Sequence, residues 1–311
     1  MTPVAALGQI SDARRHPEQA VNRTGWEPLS PCQPQCLPAP DSLPRVGRAR
    51  VVARFAGLIS SVLLFALAAV VLPAHRRAPV LRGIFRGVLR AIGVRLVHRG
   101  DDRFDAGPGT GGVLVVANHL SWLDILVLGA VQPMRMVAKR EVQDWPVLGA
   151  VAVRVGTLFV DRSRLRSLPC VVSKATDALR AGAVVGLFPE GTTWCGAAVG
   201  PFRRAGFQAA LDAGVPVRPV AQRMRLLDGT VTSVGAFIGE DTLRDSLLRV
   251  LRLPGLSVEV YVLPLLVAGQ CTDRRELARR AELAVAEVTG VLATSLPRRT
   301  PAIPRQLSAV A

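Results

Sequence analysis

Residues 112–124, GVLVVANHLSWLD, carry the reading from which the fold follows. An uncharged apolar run of this length suits a strand covered on both faces, because a strand open to water on one side alternates apolar with polar residues. The run breaks at Asn118 and His119, and Trp122–Ala130 then takes a helical pattern. The same texture recurs downstream. Residues 135–138, 157–160, 184–188, 216–221 and 258–263 read as further strands, with helices over 165–180 and 203–213. Such alternation predicts an α/β fold, a mostly parallel central sheet flanked by helices.

Ligands of open α/β sheets bind beyond the carboxyl ends of the strands. Asn118, His119 and Asp124 follow the first run, Asp161, Arg162 and Arg164 follow 157–160, and Pro189, Glu190, Gly191, Thr192 and Thr193 follow 184–188. Three polar clusters on one predicted edge would be costly to bury without a purpose. Of the four histidines, His119 is the one that directly follows a strongly apolar strand. A neutral imidazole there can take a proton from an attacking hydroxyl, while a carboxylate on its other nitrogen fixes the tautomer. Asp124 stands one helical turn in and can reach back to do this. Its rival role is the capping box Ser121-x-x-Asp124, in which it serves the backbone instead.

Glu190 is either a turn residue or part of a ligand loop, with Gly191 permitting close backbone approach. Lys139, Arg162 and Arg164 suit a phosphate, against the alternative of ordinary surface charge. No serine has a G-x-S-x-G setting and no cysteine an evident His partner, so direct attack by an acceptor hydroxyl fits better than a covalent acyl-enzyme. A single candidate histidine with scattered carboxylates is a poor ligand set, and no metal is expected. Cys32, Cys36, Cys170, Cys195 and Cys271 lack paired CxxC spacing and read as small buried or incidental residues of a reduced, cytoplasm-facing protein.

Half of the 311 residues are hydrophobic, the mean hydropathy is +0.32 and the net charge is +16, which together point to lipid contact and an anionic partner. Aromatics at 5% argue against a base-stacking nucleic-acid surface. Residues 55–72, FAGLISSVLLFALAAVVL, are uncharged, and as a helix they approach the hydrocarbon thickness of a bilayer; the alternative is a buried core helix. Basic residues on both flanks leave its orientation open. Over 79–100, Arg82, Arg86 and Arg90 oppose a stripe of Leu81, Ile84 and Val88. That pattern fits either a basic amphipathic helix in a headgroup layer or a helix packed on the core with a solvated arginine face. The expected organisation is a disordered Pro/Arg-rich lead over 1–50, a membrane-anchoring helical segment over 51–98, a catalytic domain over 99–296 closed by a helix from Thr272 to about Leu296, and a disordered tail over 297–311.

The polar clusters also form a recognisable series. Asn118-His119-x-x-x-x-Asp124 resembles the NHxxxxD motif of the glycerolipid acyltransferase family typified by 1-acyl-glycerol-3-phosphate (lysophosphatidic acid) acyltransferase. Gly156–Arg162, Phe188–Thr192 and Val215–Val220 resemble its second, third and fourth blocks, in order, within a resemblance running from about residue 95 to 265. The resemblance implies that His119 is the base, that Asp124 orients it, and that Arg162 and the Glu190-Gly191-Thr192 loop bind the acceptor, with Asn118 and Lys139 assisting. Many members continue the third block with arginine; here Thr193 and Trp194 follow, so Arg203 or Arg204 would have to substitute, or the acceptor is another lysolipid such as a lyso-ornithine lipid.

The expected activity is membrane-associated O-acyl transfer from acyl-CoA or acyl-carrier protein to the free hydroxyl of a lysolipid, first of all 1-acyl-glycerol-3-phosphate. It needs no cofactor beyond the donor and no nucleic acid, and it would take place at the cell membrane with the catalytic domain on the cytoplasmic side. The competing class is a non-catalytic binder of anionic lipid or nucleic acid, which has no use for a His-Asp pair at a strand end.

Overall fold

The computed structural model describes residues 28–293 apart from 106, 108–110, 146–147, 162–164 and 272. Seven strands, β1 (Val94–Gly100), β2 (Val113–Ala117), β3 (Arg135–Lys139), β4 (Leu158–Val160), β5 (Val184–Leu187), β6 (Val217–Arg225) and β7 (Leu256–Val262), join one sheet in the order β1-β7-β6-β2-β5-β3-β4. Neighbours are parallel except β6 and β7, so five strands share one direction and the β1–β7 pair opposes them.

The strand that opens the reading, β2, lies inside this sheet and is buried at all five positions. Its side chains alternate between two cores, as the two-residue period of a strand requires. Val113, Val115 and Ala117 pack on one face with Leu123 and Val127 of α3 (Leu123–Val131) and Val250 of α7 (Leu243–Arg252). Leu114 and Val116 pack on the other with Leu179 of α5 (Leu168–Arg180), Ala210 of α6 (Gln208–Ala213) and Leu277 of α8 (Arg274–Thr289). Each fully buried Val or Leu contributes about 1.5–3 kcal/mol, so the absence of polar residues from β2 is what holds the three layers together.

Ahead of the sheet, α1 (Arg48–Val71) and α2 (Ala74–Ile92) form an antiparallel hairpin, with Phe65 and Phe85 tilted at 5.2 Å between ring centroids. Of the two readings of the basic stripe, the structure takes the packed helix: Leu81, Ile84, Val88, Leu89 and Ile92 are buried in protein, not turned to a headgroup layer. Arg82 and Arg86 donate through Nε to the Ala130 carbonyl, at 3.4 and 3.0 Å, where cations suit the negative end of α3. By contrast α1 is no core helix. Its Arg48–Ala68 stretch, mean hydropathy 2.1, is long and apolar enough to cross a membrane and is only 6% buried.

Several sequence expectations need correction. The helix expected over 79–100 ends at Ile92, because Gly93 takes the left-handed conformation (φ 80°) and the chain then extends as β1. A boundary at residue 98 would therefore cut a strand. The lead is not disordered up to residue 50: Cys32 is buried, Val46 N–H donates to Arg252 O at 2.8 Å, and the Ser233 hydroxyl donates to Cys36 O at 2.5 Å. The helix expected over 203–213 is regular only over Gln208–Ala213, and the closing helix stops at Thr289 before Gly290 (φ 70°). Neither α4 (Leu148–Arg154) nor α7 was expected. Residues 1–27 of the lead and the tail lie outside the described residues.

Candidate active site

The parallel strands β2, β5, β3 and β4 deliver their carboxyl ends to one rim, as the order of the polar clusters predicted. His119 follows β2 and Asp124 lies in the first turn of α3. The His119 Nδ1 to Asp124 Oδ2 distance is 2.8 Å, with Asp124 wholly buried and the His119 side chain 16% exposed. The same carboxylate oxygen accepts the N–H groups of Leu120 at 2.6 Å and Ser121 at 2.9 Å. Both roles weighed for Asp124 meet in one atom, which serves the backbone just ahead of α3 and holds the imidazole, although the Ser121 hydroxyl of the capping box makes no bond in return. The two N–H groups fix the carboxylate, and the carboxylate fixes the ring.

Phe188, at the end of β5, lies flat against the His119 ring at 3.9 Å between centroids, with the planes 5° apart. With Nδ1–H committed to Asp124, Nε2 is left as the acceptor. Among the described residues it has no hydrogen-bond partner. That is the arrangement of a general base awaiting a hydroxyl.

The residues expected to touch the acceptor make the following contacts within the protein. Glu190 is buried, and its carboxylate accepts His119 N–H at 2.7 Å and Gly200 N–H at 3.2 Å. Burial pushes its pKa well above the ordinary carboxylate value, against the pull of those two N–H groups. Asn118 is bound to β6 through Gln222: its Nδ2 donates to Gln222 O at 3.1 Å, its Oδ1 accepts Gln222 N–H at 2.8 Å, and Gln222 Nε2 donates back to Asn118 O at 3.0 Å. Trp194 N–H donates to His119 O at 2.8 Å. The His119 main chain is therefore held on both sides by the loop that follows β5, its N–H by the Glu190 carboxylate and its carbonyl by Trp194 N–H, and its predecessor is tied to β6.

Gly191 has φ +76°, and an added Cβ would come within 2.7 Å of Pro28 and 3.6 Å of Arg203 Cδ, so the glycine is required both by its conformation and by what crosses it. Thr192 is half-buried in the same loop. The Thr193 hydroxyl is engaged by Phe237 O and offers nothing in place of an arginine. Arg203 is exposed beside Gly191 and has no carboxylate partner among the described residues. Lys139, at the end of β3, pairs with Glu141 at 2.9 Å, two strands away from β2. Arg162 lies outside the described residues, as does Arg164. In the fourth block, Arg218 is buried and bonds to Phe104 O, Leu263 O and Asp101, which makes it a brace of β6.

Sequence reasoning missed Gln222, the Phe188 stacking and the Trp194 main-chain bond. Only the first left a legible signal, a polar residue directly after the stretch 216–221 that reads as a strand.

The acyltransferase family model matches residues 83–223. The chain is 34% identical over 217 residues to the 1-acyl-sn-glycerol-3-phosphate acyltransferase of Neisseria meningitidis, covering 70% of this chain and 82% of that one. It is 39% identical over 192 residues to the lyso-ornithine lipid O-acyltransferase of Pseudomonas aeruginosa, covering 60% and 71%. Among solved structures, the 1-acyl-sn-glycerophosphate acyltransferase PlsC of Thermotoga maritima shares the fold, with a TM-score of 0.55 at 17% identity over 78% of this chain and 94% of that one. Set beside a His119–Asp124 pair at the rim of this sheet, these likenesses show that the chain belongs to the glycerolipid acyltransferase family.

Proposed function

We propose that this acyltransferase moves a fatty acyl group from an acyl thioester, acyl-CoA or acyl-carrier protein, to the free hydroxyl of a membrane lysolipid. The observation that carries the mechanism is the 2.8 Å contact between His119 Nδ1 and the buried Asp124 carboxylate, which leaves Nε2 as the base. His119 Nε2 takes the hydroxyl proton, the alkoxide oxygen attacks the thioester carbonyl, the C–O bond forms as the C–S bond breaks, and the proton passes from the imidazolium to the departing thiolate. Asp124 stabilises the imidazolium between those events.

The acceptor is the finer part of the reading. Relatives named for 1-acyl-glycerol-3-phosphate and for lyso-ornithine lipid match at 34% and 39% identity, which leaves both headgroups in play. Arg203 beside Gly191 is the cation we assign to the acceptor's anionic group, since Thr193 is occupied by Phe237 O.

The outward face of α1 supplies the membrane contact. Phe55, Ile59, Leu63, Leu67, Val70 and Val71 are exposed together along it. Two observations favour a hairpin lying in one leaflet over a crossing helix. Arg54 donates to Leu251 O, Leu253 O and Pro254 O, which pins the amino-terminal end of α1 to the globular part. The arginine-bearing α2 runs back along α1 as far as the contact of Gly57 with Ala91. A long-chain lysolipid stays largely in the bilayer at about 0.8 kcal/mol per buried methylene, so the site must go to it. We place that surface at the cytoplasmic face of the cell membrane, where the thioester donors are made.

Membranes containing the protein, offered one labelled acyl thioester and a panel of lysolipids, test the proposal. One lysolipid should be acylated, and His119→Ala should abolish the product while leaving folding and membrane partition intact. Full activity in that variant would remove the mechanism, and acylation of no lysolipid would remove the function.

A further inference from the structure

Three of the five cysteines, far apart in the chain, converge on one point. The sulfurs of Cys32, Cys36 and Cys195 all lie within 4.8 Å of one another, Cys32 and Cys195 buried and Cys36 at the surface. Zinc–thiolate bonds of about 2.3 Å in tetrahedral geometry place sulfurs about 3.8 Å apart, so three sulfurs already at this spacing need only small shifts to share an ion. Cys32 and Cys36 have three residues between them, within the range of structural zinc sites, and a 3-10 turn over Pro34–Cys36 folds the second back toward the first.

The main chain ties two of these cysteines directly to each other. Cys195 N–H donates to Cys32 Sγ at 3.3 Å. Gly196, at φ +86°, turns the chain directly after Cys195. A disulfide between any two of the three would leave the third sulfur at this spacing unexplained.

We infer that Cys32, Cys36 and Cys195 form a three-thiolate site for a thiophilic divalent cation of the zinc class, whose role is to pin the amino-terminal strap over the loop that follows β5. Among the described residues no His, Asp or Glu joins the three, so the fourth ligand comes from solvent on the exposed Cys36 side. The strap already crosses this loop, with Pro28 against Gly191, and the Ser233 hydroxyl, in the connection between β6 and α7, is bonded to Cys36 O. The residue before Cys195 is Trp194, whose N–H holds His119 O. The ion therefore sits one residue from a bond that positions the base, and it stands apart from the acyl-transfer chemistry.

The test uses the full chain, stripped by chelator under reducing conditions and titrated with Zn²⁺ or Co²⁺ alone. One equivalent should bind, and the Co²⁺ form should show thiolate-to-metal charge transfer with tetrahedral ligand-field bands. Cys170→Ser and Cys271→Ser should leave these unchanged. Cys36→Ser, at an exposed position, should keep the fold, cut the charge-transfer intensity by about one third and weaken binding at least tenfold; Cys195→Ser should abolish binding. The inference is overturned by a wild-type chain that binds neither metal stoichiometrically, by spectra unchanged in Cys36→Ser, or by thiol counts showing two of the three joined in a disulfide as isolated.

Discussion

Replacing Asp124 by Asn removes a charge while keeping the shape, and its cost can be worked from the contacts of a single oxygen. Asp124 Oδ2 accepts His119 Nδ1–H and the N–H groups of Leu120 and Ser121, while Oδ1 is buried with no partner. Alanine at this position would leave three buried donors unpaired, at about 1–3 kcal/mol each, and the fold itself would fail. Asparagine can place its carbonyl oxygen where Oδ2 stood, with the amide nitrogen in the unpartnered Oδ1 position, so all three donors keep an acceptor. What disappears is the negative charge facing the imidazolium. Taking the charge centres as about 4 Å apart at an effective dielectric constant of about 20, that attraction is worth about 4 kcal/mol. At about 1.4 kcal/mol per factor of ten, kcat should fall on the order of 10³-fold, with the KM for the lysolipid little changed. Initial rates of labelled acyl transfer into vesicle-borne lysolipid measure this, with thermal unfolding as the control for folding. A folded Asp124→Asn protein within tenfold of the wild-type kcat would refute the idea that the buried carboxylate stabilises a protonated His119.

Two further outcomes follow from other parts of the structure. Burial raises the Glu190 pKa, so the folded protein keeps a proton that the unfolded chain releases. The resulting stability is fully present below about pH 4.3 and declines as pH rises toward the native value. Glu190→Gln has no such proton, so the unfolding free energy of the variant relative to wild type should increase from pH 4 to pH 7; parallel stability curves would show that the burial argument is wrong. On the outward face of α1, Leu63 and Leu67 are about 60% exposed. Leu63→Glu with Leu67→Glu should leave the melting temperature nearly unchanged, yet it removes two side chains worth about 1.5–3 kcal/mol each in lipid, so partition into vesicles should drop at least 100-fold. Unaltered sedimentation with vesicles would place the lipid contact elsewhere.

What the sequence made legible, and what it hid, divides along physical lines. Strands buried on both faces are rich in apolar residues, so β2 and β5 stood out as runs and β6 was legible despite Arg218, and the polar residues after β2 and β5 marked the rim. His119 and Asp124 were legible because both lie within one strand–helix connection. The strand β1 was hidden because its Arg-Leu-Val pattern continues the rhythm of α2, although Gly93 marks the break. The helix α7 carried a signal that went unread: Thr242 caps it by accepting Asp245 N–H, a capping pattern visible as Thr242-x-x-Asp245. Nothing local announces the true work of Glu190 and Asn118, because their partners, Gly200 and Gln222, are fixed only when loops and strands distant in sequence meet. The cysteine cluster was hidden for the same reason.

Contacts of the same long-range kind connect the α1–α2 hairpin with the His119–Asp124 pair. Asp124 stands at the amino-terminal end of α3, and the carboxyl-terminal end of that helix is gripped by α2, through Arg82 and Arg86 on Ala130 O. Between them, Phe85 lies against Gly129 so closely that a Cβ there would fall 2.5 Å from its ring. Phe85 in turn meets Phe65 of α1, on the helix whose other face is exposed and apolar. A helix of nine residues is short and stiff, so fixing its far end fixes the direction of its first turn, and with it the carboxylate that orients His119. The hairpin is thus part of the scaffold that holds His119, and it turns the apolar stripe of α2 inward while Arg86 and Arg90 stay exposed. Through these contacts α2 transmits the position of α1 to α3, and with it to the carboxylate that meets His119; a segment joined by a flexible tether would make none of these bonds.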